Sequence, residues 1–310
     1  MPLPTLDVPA VAERHLLALP ADTEPADVHG LAVERFPAAA WEVEPSLAPP
    51  RRAGGARGLR VLAAPPGLLR LADDVELAGP WEVDDTTAGG LGLPLGCTHV
   101  YVLGAPVRRG AVRPPILGDP DGLGRAFPFG VPIGAEGEVL TWAVACARRL
   151  GGAVRTADGA RTTVLVPDPA AAVDLTVWAS VPLPAPVVVD VVDRVTGARA
   201  RVERATASLG YRVTVGLGAD LGRDGTLVVE VVSDDVVPPR VHEVGTVVAH
   251  RVRWAPPDPV EAALERPSNA HRFARARATP VVVAVARALL QGAGGLVTDA
   301  ADLLVEPADL

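Results

Sequence analysis

The chain has 310 residues, a formal charge of −8 and a pI near 5.3, and none of its 29 basic residues is a lysine. The acidic balance excludes a general nucleic-acid binder, whose phosphate contacts need a basic face. Without lysine there is no Walker A loop, no pyridoxal Schiff base, no kinase strand lysine and no Ser-x-x-Lys nucleophile, because arginine stays protonated and cannot replace lysine as nucleophile or base.

From the N-terminus, the spacing predicts a helix over 9–19 and a second helical unit over 27–36. Residues 46–58 (SLAPPRRAGGARG) read as a surface loop, since Pro-Pro and Gly-Gly break both regular structures. Short strands are expected at 59–63, around Trp81 and over 98–103 (THVYVL), with a Pro- and Gly-rich loop from 105 to 134. A helix then runs from about 135 to 150. Glu136 and Glu138 lie in its first turn, Arg148 and Arg149 in its last, and Gly151 follows as a C-cap.

A hairpin is expected over 153–166 about a turn at 157–159, then a half-buried strand over 173–179. The valines of 186–196 favour a strand, but its charges recur at helical spacing behind a well-placed proline, and helix is preferred. A three-stranded meander follows at 211–217, 226–232 and 246–254. The last strand puts Val248, His250, Val252 and Trp254 on one face, with Arg251 and Arg253 on the other. Three helical pieces are expected at 258–267, 268–278 and 279–292, broken by Pro267 and Pro280, then two short strands at 296–298 and 303–305.

A chain this long can bury roughly three quarters of its unfolded surface, so a real core is expected. Asparagine occurs once and isoleucine twice, the signature of a GC-rich genome. No run approaches the ~20 apolar residues of a membrane span. Residues 1–27 carry Glu13, Arg14, Asp22, Glu24 and Asp27 and lack the basic start and apolar stretch of a signal peptide. Cys97 and Cys146 cannot build a disulfide framework or a Cys-rich zinc site. These features predict a cytoplasmic protein off the membrane.

Few motifs carry chemistry. The glycines of GGLGLPLG at 89–96 have the wrong spacing for a dinucleotide fingerprint, and a strand rather than a helix follows. DPDGLG at 119–124 resembles half a calcium loop, but Gly130 stands where a bidentate glutamate is required. No serine sits in Gly-x-Ser-x-Gly and no His-Glu-x-x-His exists. His242, Glu243 and His250 form a metal or acid/base site if the fold joins them to Asp234 or Asp235, although His250 between Val248 and Val252 reads better as a sheet histidine.

The densest charge feature is 251–277, which holds Arg251, Arg253, Arg266, Arg272, Arg275 and Arg277 with His271, against Asp258, Glu261 and Glu265. If strand and helix pack together, Arg251, Arg253, His271, Arg272 and Arg275 form an anion site, because guanidinium binds such groups bidentately. The competing and preferred reading is a solvated face paired with acids.

Residues 138–168 and 281–310 echo one another. Each gives an apolar helix, a Gly-Gly pair, a short valine-containing strand, an acidic turn and a second strand ending near proline and aspartate. The expected fold is therefore α+β, with two possibly duplicated units, each a small, mostly antiparallel sheet carrying helices. The expected boundaries are a Pro/Ala-rich segment at 1–58 and units at 59–185 and 186–310.

The blocks DGLGRAFPFGV (121–131), ARRLGGAVR (147–155), PDPAAAVDLTVW (167–178), HRVRW (250–254), PSNAHRFAR (267–275) and VEPADL (305–310) resemble an uncharacterised family of proteins from actinobacterial genomes. The resemblance covers about 117–310 and carries no activity, ligand or catalytic residue. The sequence reading is a non-enzymatic binding or protein-interaction module without a cofactor, whose partner is an unknown protein or a small anionic ligand. The alternative is an enzyme acting on an anionic or phosphorylated small molecule through the Arg/His cluster at 250–277, with Arg251, Arg253, Arg272 and Arg275 as anion ligands and His250 or His271 as acid/base.

Overall fold

The computed structural model describes residues 3–45, 65–114, 118–204, 210–218, 223–233, 236–243, 245 and 247–310. The loop expected at 46–58, the strand expected at 59–63, and Asp234 and Asp235 lie outside the described residues. The chain divides into two compact units, Met1–Pro115 with Asp121–Pro169, and Ile116–Pro120 with Ala170–Leu310.

The first unit contains β1 (His15–Leu19), α1 (Pro25–Arg35), β2 (Ala40–Val43), β3 (Gly67–Ala72), β4 (Val75–Glu82), α2 (Asp85–Gly90), β5 (His99–Gly104), α3 (Leu123–Ala126), α4 (Gly134–Leu150), β6 (Ala153–Asp158) and β7 (Arg161–Leu165). Its sheet has the order β2-β3-β4-β5-β1-β6-β7, with neighbouring strands antiparallel. The helix expected over 9–19 is instead a 3₁₀ turn at Pro9–Val11 followed by β1. All five residues of β1 are buried, because the strand lies mid-sheet between β5 and β6 with both faces covered. A central strand of that kind loses the polar/apolar alternation and reads as a continuous apolar run. α4 packs on β1 and β6, and Trp142 of α4 donates its indole N–H to the Leu31 carbonyl of α1 at 3.0 Å. The opposite side of the sheet buries Leu16, Ala18 and Val100 against Leu6, Val11, Ala88, Leu91 and Leu93.

The second unit contains β8 (Leu175–Ala179), α5 (Ala185–Thr196), β9 (Arg201–Arg204), β10 (Tyr211–Gly216), β11 (Thr226–Ser233), α6 (Pro239–His242), β12 (Val248–Ala255), α7 (Pro259–Ala262), α8 (Asn269–Ala293) and β13 (Leu296–Asp299). Its antiparallel sheet runs β13-β8-β12-β11-β10-β9. α5 and α8 cover one face, where Ala274, Ala278, Val282, Val285, Ala286 and Leu289 of α8 meet Val177, Val252 and Trp254. The helical spacing of those six positions is what selects this face. The break expected at Pro280 does not occur. α8 is one helix of 25 residues that continues through the proline, with apolar positions buried on both sides of it.

The boundary expected between 185 and 186 would leave β8 with the first unit. Its hydrogen bonds to β12 and β13 place it in the second sheet, and the division falls after Pro169. Residues 1–58 are likewise no separate segment where described, since β1 and β2 are strands of the first sheet.

The two sheets share a plan. Removing the terminal strand β7, the first reads β6-β1-β5-β4-β3-β2 and the second β13-β8-β12-β11-β10-β9, each element in the same chain order. α1 and α5 each begin six residues after the strand they follow, at Pro25 after Leu19 and at Ala185 after Ala179. Register also agrees: Ala153 faces Ala18 and Val154 faces Leu17 in one sheet, as Leu296 faces Trp178 and Val297 faces Val177 in the other. Gly151 and Gly294 end α4 and α8 at φ +71° and +70°. The glycines that follow, Gly152 and Gly295, lie against the carbonyls of Ala18 and Trp178.

Candidate functional site

The arginines singled out in the sequence divide between the two faces of the second sheet. Val248, Val252 and Trp254 point into the core under α8, so alternation sends Arg251 and Arg253 to the other face. There Thr298, Thr176, Arg251, Glu230, Arg212 and Glu203 stand opposite one another across the six strands, a polar row with alternating charge on its last four members. Arg212 donates to Glu230 Oε1 through Nε (2.9 Å) and Nη2 (2.5 Å), and Arg253 Nη1 lies 3.4 Å from Glu230 Oε2. Glu230 on β11 answers cations on both flanking strands, Arg212 on β10 and Arg251 and Arg253 on β12. Burial pulls the Arg251 guanidinium pKa down, as does neighbouring Arg253, while Glu230 and Asp302 oppose the shift.

On α8, Arg272 is exposed and Arg275 is buried. Arg277 donates Nε (2.9 Å) and Nη2 (2.5 Å) to the two oxygens of Asp224. Arg266 is exposed on the connection before α8. The five residues expected to form one anion site are thus not assembled, because the sheet stands between Arg251 with Arg253 and His271 with Arg275. His250 is fully buried as a sheet histidine. Its Nδ1–H donates to the Val177 carbonyl (3.3 Å) and its Nε2 accepts the Leu183 N–H (3.1 Å). Desolvation holds its pKa below the ordinary histidine value, so it is neutral.

His271 opens, with Arg277, onto a concave surface. A cleft of about 470 Å³ opens between α7 and the first turns of α8, lined by Arg223, Pro257, Asp258, Glu261, Ser268, Ala270, His271, Phe273, Ala274 and Arg277. His271 is 7% exposed, and its ring packs edge-on against Trp254 with centroids 5.1 Å apart. Its backbone N–H is capped by Ser268 Oγ (3.3 Å), and its ring nitrogens have no hydrogen-bond partner among the described residues. Burial, then Arg275, depresses its pKa against the opposing pull of Glu261 and Asp258. The carboxylates are each half-occupied: Glu261 Oε2 accepts the Ser268 N–H and Asp258 Oδ1 accepts the Val260 N–H. Phe273, 65% exposed, supplies an aromatic wall. Sequence reading named His271 but set it among arginines; the stretch 256–268, which brings the two acids round to it, has no periodicity to announce its path.

A second polar cluster lies in the first unit, joined from residues far apart in the sequence. In the first unit Ala157 N–H donates to His15 Nδ1 (2.9 Å), so the ring proton sits on Nε2, which donates to Glu136 Oε1 (3.0 Å). Glu136, wholly buried in the first turn of α4, also accepts the Arg108 N–H (2.9 Å) and the Arg109 guanidinium on Oε2. Arg109 continues to Asp158 Oδ1 (3.1 and 3.2 Å) and lies 4.8 Å from the Phe127 ring centroid. The bonds of His15 and Arg109 outweigh desolvation and hold the Glu136 carboxyl below its usual pKa. His15 and Glu136 are 121 positions apart, a separation at which sequence carries no pairing signal. Their donors and acceptors close on one another, which fits a fastening of Arg108, Arg109 and the start of α4 to the sheet.

Both cysteines are buried free thiols whose pKa values burial pushes up. Among the described residues, no group of three His, Cys, Asp or Glu side chains could hold a metal ion, and no helix is long and apolar enough to cross a membrane. No protein-family model, no curated protein and no solved structure matches the chain.

Proposed function

We propose that this chain is a non-enzymatic binding protein built on one α+β unit duplicated within it, the second copy carrying the ligand cleft. The shared strand order, the matching β1/β6 and β8/β13 registers and the paired Gly-Gly helix ends support the duplication. The binding reading rests on the cleft itself. It is a concavity lined by Pro257, Ala270, Phe273 and Ala274 with a few polar groups converging on it, the usual form of a recognition site. The alternative, an enzyme using Arg251, Arg253, Arg272 and Arg275 as anion ligands with His250 or His271 as acid/base, needs residues on opposite faces of the sheet to meet.

A thermal-shift screen of amines, nucleotides, phosphosugars and short peptides, with mass analysis of each hit after incubation, tests the reading. A ligand that raises the melting temperature, is recovered unchanged and loses its effect in Phe273→Ala supports it. Conversion of a hit to product, abolished in His271→Phe, would overturn it in favour of the enzyme.

A further inference from the structure

We propose that the cleft beside His271 binds a primary ammonium group carried on an alkyl chain. The inference deepens the binding reading and rests on it. Its starting point is which polar atoms around the cleft still lack partners. Arg277 turns Nε and Nη2 to Asp224, so its charge is answered at the cleft wall. Arg223 also acts on that carboxylate and helps hold its pKa low. The acceptors are less committed. Asp258 and Glu261 each use one oxygen on a backbone N–H, and the neutral ring of His271 offers a lone pair. An ammonium group has three donors in a compact head, and these three acceptor groups line one cleft.

The partial positive charge at the start of α8 opposes a cation. Two side chains temper it: Ser268 Oγ takes the His271 N–H and Glu261 takes the Ser268 N–H. Phe273, exposed at the rim, and Pro257 give the alkyl stem an apolar surface, and an aromatic face also attracts a cation. Because the chain contains no lysine, a side-chain ammonium has to arrive on another molecule, either a free diamine or a lysine of a partner protein.

The test is calorimetric titration of the full chain with 1,5-diaminopentane, with Nα-acetyl-lysine amide and, as the anion control, with inorganic phosphate. Binding of either amine, weakened at least tenfold in Asp258→Asn and Glu261→Gln and reduced by added salt, is expected. Both substitutions keep an oxygen acceptor for the backbone N–H, and an unchanged melting temperature shows that the fold is intact. His271→Phe keeps the ring packing on Trp254 but removes the lone pair, and should weaken the amine in the same way. Stronger binding of diaminopentane points to a free diamine, and stronger binding of the lysine amide to a protein partner. Failure of both amines, or amine binding that ignores Asp258→Asn and Glu261→Gln, sinks the ammonium assignment. The binding reading survives that failure if another ligand still depends on Phe273, and falls if a hit is turned over.

Discussion

At the scale of single residues, the buried polar groups decide how the protein responds to pH and mutation. Glu136 accepts from His15, Arg108 and Arg109 at zero exposure. Removing one member of such a network leaves charges without partners, at a cost of about 3–5 kcal/mol. Glu136→Ala should lose that much in denaturant titration, and Glu136→Gln distinctly less. Because the folded carboxyl titrates below its ordinary value of 4.5, its contribution is present above about pH 4.5 and lost as pH falls through the folded pKa. In Glu136→Gln that part of the acid sensitivity should vanish.

His250 and His271 act at higher pH. Both have folded pKa values below 6.5, so the unfolded chain takes up protons first as pH drops. Stability is complete above about pH 6.5 and declines toward the folded values. The melting temperature should therefore fall between pH 7.5 and 5.5, with a shallower slope in His271→Phe. An unchanged slope in that variant would mean that His271 plays no part.

At the scale of elements, the glycines that end α4 and α8 separate two physical effects. Gly151 and Gly294 have positive φ and open space around a prospective Cβ, so alanine meets only a backbone penalty: about 1–2 kcal/mol at Gly151 in the left-handed helical region, and about 1–3 kcal/mol at Gly294, whose ψ of −170° places it where glycine alone is at ease. A Cβ on Gly152 would lie 2.3 Å from the Ala18 carbonyl oxygen, and one on Gly295 would lie 1.9 Å from that of Trp178. Both carbonyls belong to the strand each sheet packs beside the returning helix, so backbone would have to move. Gly152→Ala and Gly295→Ala should each destabilise more than Gly151→Ala, by about 2 kcal/mol or above in chemical denaturation. Equal costs at all three would show that the contact is loosely packed. Pro280 belongs to the same scale. It removes a helical N–H in the middle of α8, and the helix persists because Ala274, Ala278, Val282 and Val285 hold both halves to the sheet. Pro280→Ala should raise stability by roughly 1–3 kcal/mol.

At the scale of the molecule, each unit has its own sheet and its own buried cluster. The chain passes between the units three times, and the short stretch 116–120 belongs to the second, where the Asp119 N–H donates to the Ala263 carbonyl (2.8 Å). A fragment of residues 170–310 retains the whole of the six-stranded sheet with α5 and α8. It should melt cooperatively by circular dichroism, at a lower temperature than the intact chain because that stretch is missing. A non-cooperative melt would show that the second unit does not fold alone.

The α+β class, the α4 and α5 helices, the β10–β11–β12 meander and the C-cap at Gly151 are legible because each rests on local chemistry: periodicity, a turn or a cap. The missing lysines removed whole reaction classes for the same kind of reason, since an absent functional group needs no fold to be absent. β1 escapes local rules because a strand buried on both faces has no alternation. α8 was broken at Pro280 because local rules cannot weigh a proline against burial on either side of it. The arginine cluster was adjacent in sequence yet parted by the sheet, while His271, Asp258 and Glu261 came to one cleft and His15 met Glu136 from 121 positions away. Which face a strand turns to its helix, and which distant side chains then meet, follows from packing the whole sheet. Only the tertiary structure decides that.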